Sequence, residues 1–311
     1  MLSLYSSFVL RYKGGVLFLM TINYRVIMKN LENIIGVDLG GTSIRAGKVV
    51  EKKIIQLAKE PTPATGTHSE VLEMLYSVID SCFDDNTKSI GIGVPSVVDI
   101  EKGIVYDVVN IPSWKIVPLK DILESRYKVP VYVNNDANCF ALGEKYYGKA
   151  KDCKSLVGLT IGTGMGSGLI FNGKLYEGKN CCAGEFGNIP YLNSNFERYC
   201  SGQFFSEEKS ISAIDAFNQA VLGDQAAIQL FSEFGFHMGQ AIKSILYAYD
   251  PEIIIIGGSL TKAYDFFKPA MFGAIQNFDY RNVLTNLKIE ISELENSAIY
   301  GAAALYLNST H

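Results

Sequence analysis

An aspartate, two glycines and a hydroxyl fall close together in Gly36-Val37-Asp38-Leu39-Gly40-Gly41-Thr42. Glycine tolerates backbone conformations that let successive amides converge on an anion, so a turn of this composition can cradle phosphate. Asp38 can hold a metal-bound water beside that phosphate, and Thr42 adds a hydroxyl donor. The same residues also suit an ordinary Asp/Gly β-hairpin turn. A second segment, Leu159 to Phe171, repeats the pattern as an apolar run, the turn Gly162-Thr163-Gly164, and another apolar run. Two phosphate-sized hairpins, one opening each half of the chain, point to a duplicated unit with a nucleotide between the halves. Other nucleotide motifs fail. No G-x-x-x-x-G-K-[ST] occurs, since Gly47-Lys48 is followed by Val49. Gly162, Gly164, Gly166 and Gly168 alternate strictly, and a strand-like Leu169-Ile170-Phe171 follows where a dinucleotide site needs a helix.

Between the two turns lies Val133-Asn134-Asn135-Asp136-Ala137-Asn138. Phosphoryl transfer to a hydroxyl needs a carboxylate within reach of the acceptor proton and donors that fix the acceptor. Asp136 fits the base and Asn135 the positioner, with a helix N-cap as the competing explanation. Further on, Glu185 in Gly184-Glu185-Phe186-Gly187-Asn188 and Glu197 in Phe196-Glu197-Arg198-Tyr199 can accept hydrogen bonds from sugar hydroxyls. Solvation is the commoner fate of such carboxylates.

The elements that must position these groups alternate along the chain. Periodicity predicts strands at 33–38, 44–50, 53–59, 89–94 and 131–134 and helices at 68–83, 118–127 and 137–147. Strands restart at 155–162 and 167–172, followed by Gly/Asn-rich turns over 172–189 and helices through 203–249. Ile253-Ile254-Ile255-Ile256 suits a central parallel strand buried on both faces, running into Gly257-Gly258. A strand at 287–291 and a helix at 296–308 close the chain. No low-complexity linker separates the halves, which places a hinge near 134–138.

With 311 residues, 48% hydrophobic and 19% charged, the composition is globular and large enough for two lobes. A net charge of −4 without a Lys/Arg cluster argues against nucleic acid as a partner. The six cysteines show no C-x-x-C and read as reduced cytoplasmic thiols, and three histidines are too few for a His-rich metal site. Arg11 and Lys13 interrupt the apolar N-terminal segment, so neither a membrane span nor a signal peptide is expected there. Met28 stands where a start before the first strand would fall, and residues 1–27 read as outside the fold.

The ordered set D-x-G-G-T, G-x-P, N-x-P-x-W, N-D-A-N, G-T-G-x-G-x-G, G-E-x-G and a late I-I-G-G resembles the ROK family of sugar kinases and sugar-linked repressors, over residues 33–308. The resemblance implies an α/β, actin-like ATPase (ribonuclease H-like) fold whose two lobes close on ATP and a hexose. The lobes would be 33–134, with 296–311 packing back on it, and 135–295, leaving 1–32 as an extension. Asp38, with Gly40, Gly41 and Thr42, matches the first phosphate site and would hold Mg²⁺ through water. Gly162, Thr163 and Gly164 match the second phosphate turn, and Gly257 and Gly258 the loop beside the adenosine. Asn110, Asn135, Asp136, Glu185 and Glu197 match sugar contacts, with Asp136 deprotonating the attacking hydroxyl on C6. Asp99 matches a position without an assigned role. A cytoplasmic homodimer follows from the same resemblance.

The departures are specific. The family pattern continues G-E-x-G-H and then a cysteine-rich loop, the histidine and three cysteines holding structural zinc. Here Asn188 stands at the histidine position and Tyr191 to Glu197 contains no cysteine, so a zinc-free site is expected, with Asn188 facing the sugar. Cys181 and Cys182 read as packing residues. The expected activity is that of a glucokinase, with an N-acetylglucosamine or N-acetylmannosamine kinase as the alternative. A sugar-responsive regulator without kinase activity is the rival from another class, and the residues before Asn33 lack the charge for a DNA-binding module.

Overall fold

The computed structural model describes residues 6–9, 19–22 and 33–310. Ser6–Val9 pairs antiparallel with Leu19–Ile22, and neither strand joins the main sheets. The rest of residues 1–32, on which the expected extension falls, lies outside the described residues.

Two five-stranded sheets carry the molecule, and they share one topology. The first contains β1 (Asn33–Leu39), β2 (Ser43–Val50), β3 (Lys53–Pro61), β4 (Thr87–Val94) and β5 (Val131–Asn135) in the order β3-β2-β1-β4-β5. The second contains β6 (Leu156–Ile161), β7 (Met165–Phe171), β8 (Lys174–Leu175), β9 (Ile253–Gly257) and β10 (Lys288–Ile291) in the order β8-β7-β6-β9-β10. In each, the first three strands form an antiparallel meander and the last two join parallel beside the first. The repeat suspected from the two turns is therefore a repeat of whole sheets. β9 is buried along its full length, as its unbroken isoleucine run requires.

Helices fill the crossovers. α1 (His68–Asp80) opens on a capping box in which Thr67 accepts from Glu70 N and Glu70 reaches back to Thr67 N. It ends three residues before the expected 83. α2 (Leu119–Tyr127) precedes β5, and α3 (Asp136–Tyr146) follows it without a break. Beyond the second meander come α4 (Phe196–Tyr199), a π-helical turn over Phe204–Glu208, α5 (Ala213–Val221), α6 (Gln225–Tyr249), α7 (Tyr264–Ile275), α8 (Arg281–Asn286) and α9 (Ser297–Thr310). A small sheet of Val97–Asp99, Ile104–Tyr106 and Ile116–Val117, not anticipated from the sequence, follows β4.

The helix after the fifth strand of each sheet packs on the other sheet. α3 lies on β6 and β7, α9 lies on β1 and β4, and the two helices pack against each other. α3 is accordingly buried from Ala137 through Glu144 rather than along one stripe. Backbones meet closely here, since a Cβ on Gly301 of α9 would sit 1.6 Å from the Cys139 carbonyl oxygen of α3.

Candidate functional site

The two turns face each other across the start of α3. The first, Gly40 to Ser43, closes with Gly40 N donating to Ser43 O, and Thr62 braces it by donating its hydroxyl to Gly40 O and its amide to Thr42 O. The second, Gly162 to Gly164, closes with Gly162 N donating to Gly164 O and is backed by Gly202 N donating to Gly162 O. Asp38 is the ladder partner of Gly93, and a Cβ on Gly93 would lie 3.5 Å from Asp136 Cα. On the other side, a Cβ on Gly166 would lie 3.0 Å from Ala137 Cβ. A Cβ on Gly168 would lie 2.6 Å from the Ala137 carbonyl oxygen, so the absence of side chains at Gly166 and Gly168 lets the N-terminus of α3 enter between the sheets.

Asp136 occupies that entry. Burial pushes its pKa up to about 6, the neighbouring Asp38 charge adds to the rise, and Glu185 adds a smaller part. The amide of Ala137, which donates to Asp136 Oδ1 at 2.8 Å, works against the shift. Asn135 is the N-cap of α3, its Oδ1 accepting from Ala137 N and Asn138 N. The capping explanation therefore holds for Asn135, and only its Nδ2 group, 3.4 Å from Ser96 O, is turned elsewhere. Behind it, buried Asn134 donates to Glu177 at 2.6 Å and accepts from Asn138 at 2.9 Å.

The sequence reading missed Arg45. It is the cross-strand partner of Asp38 and donates to Asp38 Oδ2 from Nε at 3.0 Å and from Nη2 at 2.5 Å. The other oxygen, Oδ1, has no protein hydrogen bond among the described residues. Counting across a four-residue turn would have paired Asp38 with Arg45. Asn110 sits on the first turn, where a Cβ on Gly41 would lie 2.4 Å from its own Cβ.

Glu197 sits on the second turn. A Cβ on Gly164 would come within 2.5 Å of Glu197 Oε2, which accepts from Met165 N at 3.0 Å, while Oε1 accepts from Gln203 at 3.1 Å. Glu185 and Asn188 bracket a single 3₁₀ turn and pair with each other at 2.9 Å, both exposed. Gln203 had no local sequence signal; it stands just before the π-helical turn and reaches back to Glu197, six residues earlier.

Thr42 and Thr163 are exposed at their turn tips. Gly257 ends β9, and Gly258 follows at φ 96°, where a Cβ would also strike the Ile161 carbonyl oxygen at 2.2 Å. Only glycine meets both conditions. The loop brings Ser259 against Gly162, and beside it lies a cavity of about 120 Å³ walled by Ile214, Phe217, Phe231, Leu260 and Lys262. Asp99 acquires a local role, its Oδ1 accepting from Lys102 N in a hairpin turn. Cys181 is buried, as a packing residue should be, but Cys182 is exposed, which corrects that reading. No described helix is long and apolar enough to cross a membrane.

Residues 34–309 match the profile of the ROK family. The chain is 30% identical over 307 residues to a glucokinase from Halalkalibacterium halodurans, covering 85% of this chain and 91% of that protein. It is 33% identical over 258 residues to an N-acetyl-D-glucosamine kinase from Vibrio vulnificus, covering 73% and 84%. A crystal structure of a ROK family glucokinase from Streptomyces griseus in complex with glucose and AMPPNP aligns with a TM-score of 0.74 at 26% identity, covering 89% of this chain and 99% of that one. The doubled sheet is thus the actin-like ATPase fold expected from the sequence.

Proposed function

Because the chain belongs to the ROK family, we propose that it is an ATP-dependent kinase that phosphorylates a hexose, with glucose and its C6 hydroxyl as the first assignment. The observation that carries this reading is Asp136, set between two glycine turns with a pKa of about 6. A base of that pKa is ionised at neutral pH yet still takes a proton, which suits general-base work on a hydroxyl.

The turns suit a nucleotide's phosphates through glycine backbone whose amides can converge on an anion, while Asn110 and Glu197 pack against Gly41 and Gly164 where a Cβ would stand. Asp38 fits Mg²⁺ through a water on its free oxygen, a hard donor for a hard cation, while Arg45 fixes the carboxylate. The bound nucleotide supplies the phosphoryl group, and its magnesium neutralises charge on it. Gly40 to Thr42 and Gly162 to Gly164 orient that group, and the loop at Gly257-Gly258 with its cavity would receive the adenosine. Asn110, the Asn135 Nδ2 group, Glu185, Asn188 and Glu197 would hold the sugar, and Asp136 would take the hydroxyl proton. Residues 33–134 with 296–311 would form one closing body and 135–295 the other, with closure excluding water as a competing acceptor.

Both relatives named above are kinases, which weighs against a sugar-responsive regulator. The 33% identity to the Vibrio vulnificus protein supports N-acetylhexosamine as a second substrate class. A coupled ADP-release assay across glucose, mannose, fructose, allose, N-acetylglucosamine and N-acetylmannosamine tests the assignment. Glucose should give the highest kcat/KM. A higher value for an N-acetylhexosamine reverses the order, and no turnover with any sugar removes the kinase reading.

A further inference from the structure

The segment from Gly184 to Cys200 carries Glu185, Asn188 and Glu197, so whatever fixes its shape fixes the proposed sugar contacts. Its middle is a short hairpin, Pro190–Tyr191 against Ser194–Asn195, that runs directly into α4. The resemblance to the family implies zinc at this segment, but the residues present do not fit that ion. Asn188 replaces the histidine, and residues 189–199 contain no cysteine. Cys200 is fully buried in the apolar core, and burial pushes its thiol far above the usual range, away from the thiolate that zinc requires. Among the described residues no three His, Cys, Asp or Glu side chains gather to hold a metal.

Aromatic side chains brace the hairpin instead. Tyr191 stacks on Phe196 with ring centroids 4.5 Å apart and 18° between planes, and meets Tyr199 edge-on at 5.5 Å. The Tyr191 hydroxyl lies 2.9 Å from His237 Nδ1 on α6, and the His237 ring packs 5.0 Å from Tyr199. The Tyr199 hydroxyl donates to Asn193 at the hairpin tip, and Asn195 caps α4 by accepting from Arg198 N. Phe196 N donates to Ile189 O, which sets the next residue, Glu197, over the second turn. The brace therefore runs from the long helix α6 through four rings to Glu197.

Resting on the kinase reading, we propose that Tyr191, Phe196, Tyr199 and His237 form a metal-free clasp that positions Glu197 for the sugar. Tyr191 and His237 are positioning residues, acting through Glu197 rather than on the reacting atoms. The test compares full-length Tyr191→Ala, Tyr191→Phe and His237→Gln with the parent protein, and the parent protein with and without dipicolinate in excess Mg²⁺. Tyr191→Ala should raise the sugar KM by about tenfold or more, because small displacements of a positioning group are costly, while the ATP KM and kcat move far less. Tyr191→Phe retains the stack and should give a smaller rise, and dipicolinate should leave the sugar KM unchanged. An unchanged sugar KM in Tyr191→Ala overturns the clasp, as does a dipicolinate-induced rise that zinc reverses. If Tyr191→Ala does not fold, an unchanged sugar KM in both Tyr191→Phe and His237→Gln overturns it. Hydrogen exchange over residues 188–200 separates this idea from the kinase reading, since it needs no turnover. Faster exchange in Tyr191→Phe and His237→Gln supports the clasp even if no hexose is phosphorylated, and unchanged exchange refutes it.

Discussion

The two hairpins occupy equivalent places in two sheets of the same strand order, yet they are armed differently. At the penultimate residue of the opening strand the first sheet has Asp38, held by Arg45, and the second has Thr160. The first turn is braced by Thr62, the residue that follows the third strand of its own sheet, whereas the second is clamped by Gly202 and Glu197 from a later segment. A duplicated framework thus carries a one-sided electrostatic load. The two carboxylates assigned to metal and proton, Asp38 and Asp136, both come from the first sheet and the helix leaving it, whereas Glu185 and Glu197 of the second half are assigned to the sugar. The second sheet contributes backbone amides and neutral side chains, with Glu197 held to the end of the turn by Met165 N and to its own segment by Gln203. Such a division suits a reaction in which one side manages metal and proton and the other receives phosphate.

Removing the proton acceptor breaks this arrangement most severely. Asp136→Asn should lower kcat by about 10²–10⁴-fold, the range for loss of a general base, while calorimetry still detects sugar binding. In the parent protein, kcat/KM should fall with unit slope below pH 6, because protonated Asp136 cannot accept the hydroxyl proton. Near-normal turnover in Asp136→Asn would refute its role.

The asymmetry between the turns predicts a smaller but sharper contrast. Asp38→Asn should reduce kcat/KM for MgATP on the order of 10²-fold, comparable to removal of one preorganised electrostatic group. Thr160→Val, at the matching place in the second sheet, should change it by a few-fold at most. Asp38→Asn should also move the acidic limb of the pH profile downward, since the Asp38 charge is the second cause of the raised Asp136 pKa. Equal losses in the two variants would mean that the turns share the load.

Much of this site is legible in the sequence because glycine, aspartate and strand periodicity are local signals. The two turns, β9 and the start of α3 all follow from residues within a few positions of one another. Asn135 shows the limit of that reading, because a cap and a sugar contact call for the same residue type, and the structure gives its oxygen to the cap. The Tyr191–His237 pair escapes it, since residues far apart in the chain meet only through packing of the later helices, and Gln203 escapes it because no local pattern marks its return to Glu197, six residues earlier. The small sheet over 97–117 escapes for another reason, as strands of two or three residues are too short to show a period. α7 is obscured by Pro269 inside it, a residue that reads as a helix stop.

The smallest effect concerns stability, and it tests the same electrostatic asymmetry without any turnover. Asp136 has an ordinary pKa of 3.8 and one of about 6 in the folded protein, chiefly through burial. A group that binds its proton more tightly when folded makes stability fall as pH rises from the unfolded value through the folded one. The penalty from ionised Asp136 is therefore absent below its unfolded pKa and complete above about pH 6. Asparagine carries no such penalty. Asp136→Asn should melt a few degrees above the parent protein at pH 8, and the gap should close towards pH 4. Adding Asp38→Asn to both proteins should narrow the gap at pH 8, because part of the penalty is repulsion from Asp38, whereas adding Thr160→Val should leave it unchanged. Calorimetric scans of these six proteins at the two pH values decide the matter. A gap that persists at pH 4 would locate the benefit of asparagine in packing, and an equal narrowing by the two second substitutions would place the repulsion outside the first sheet.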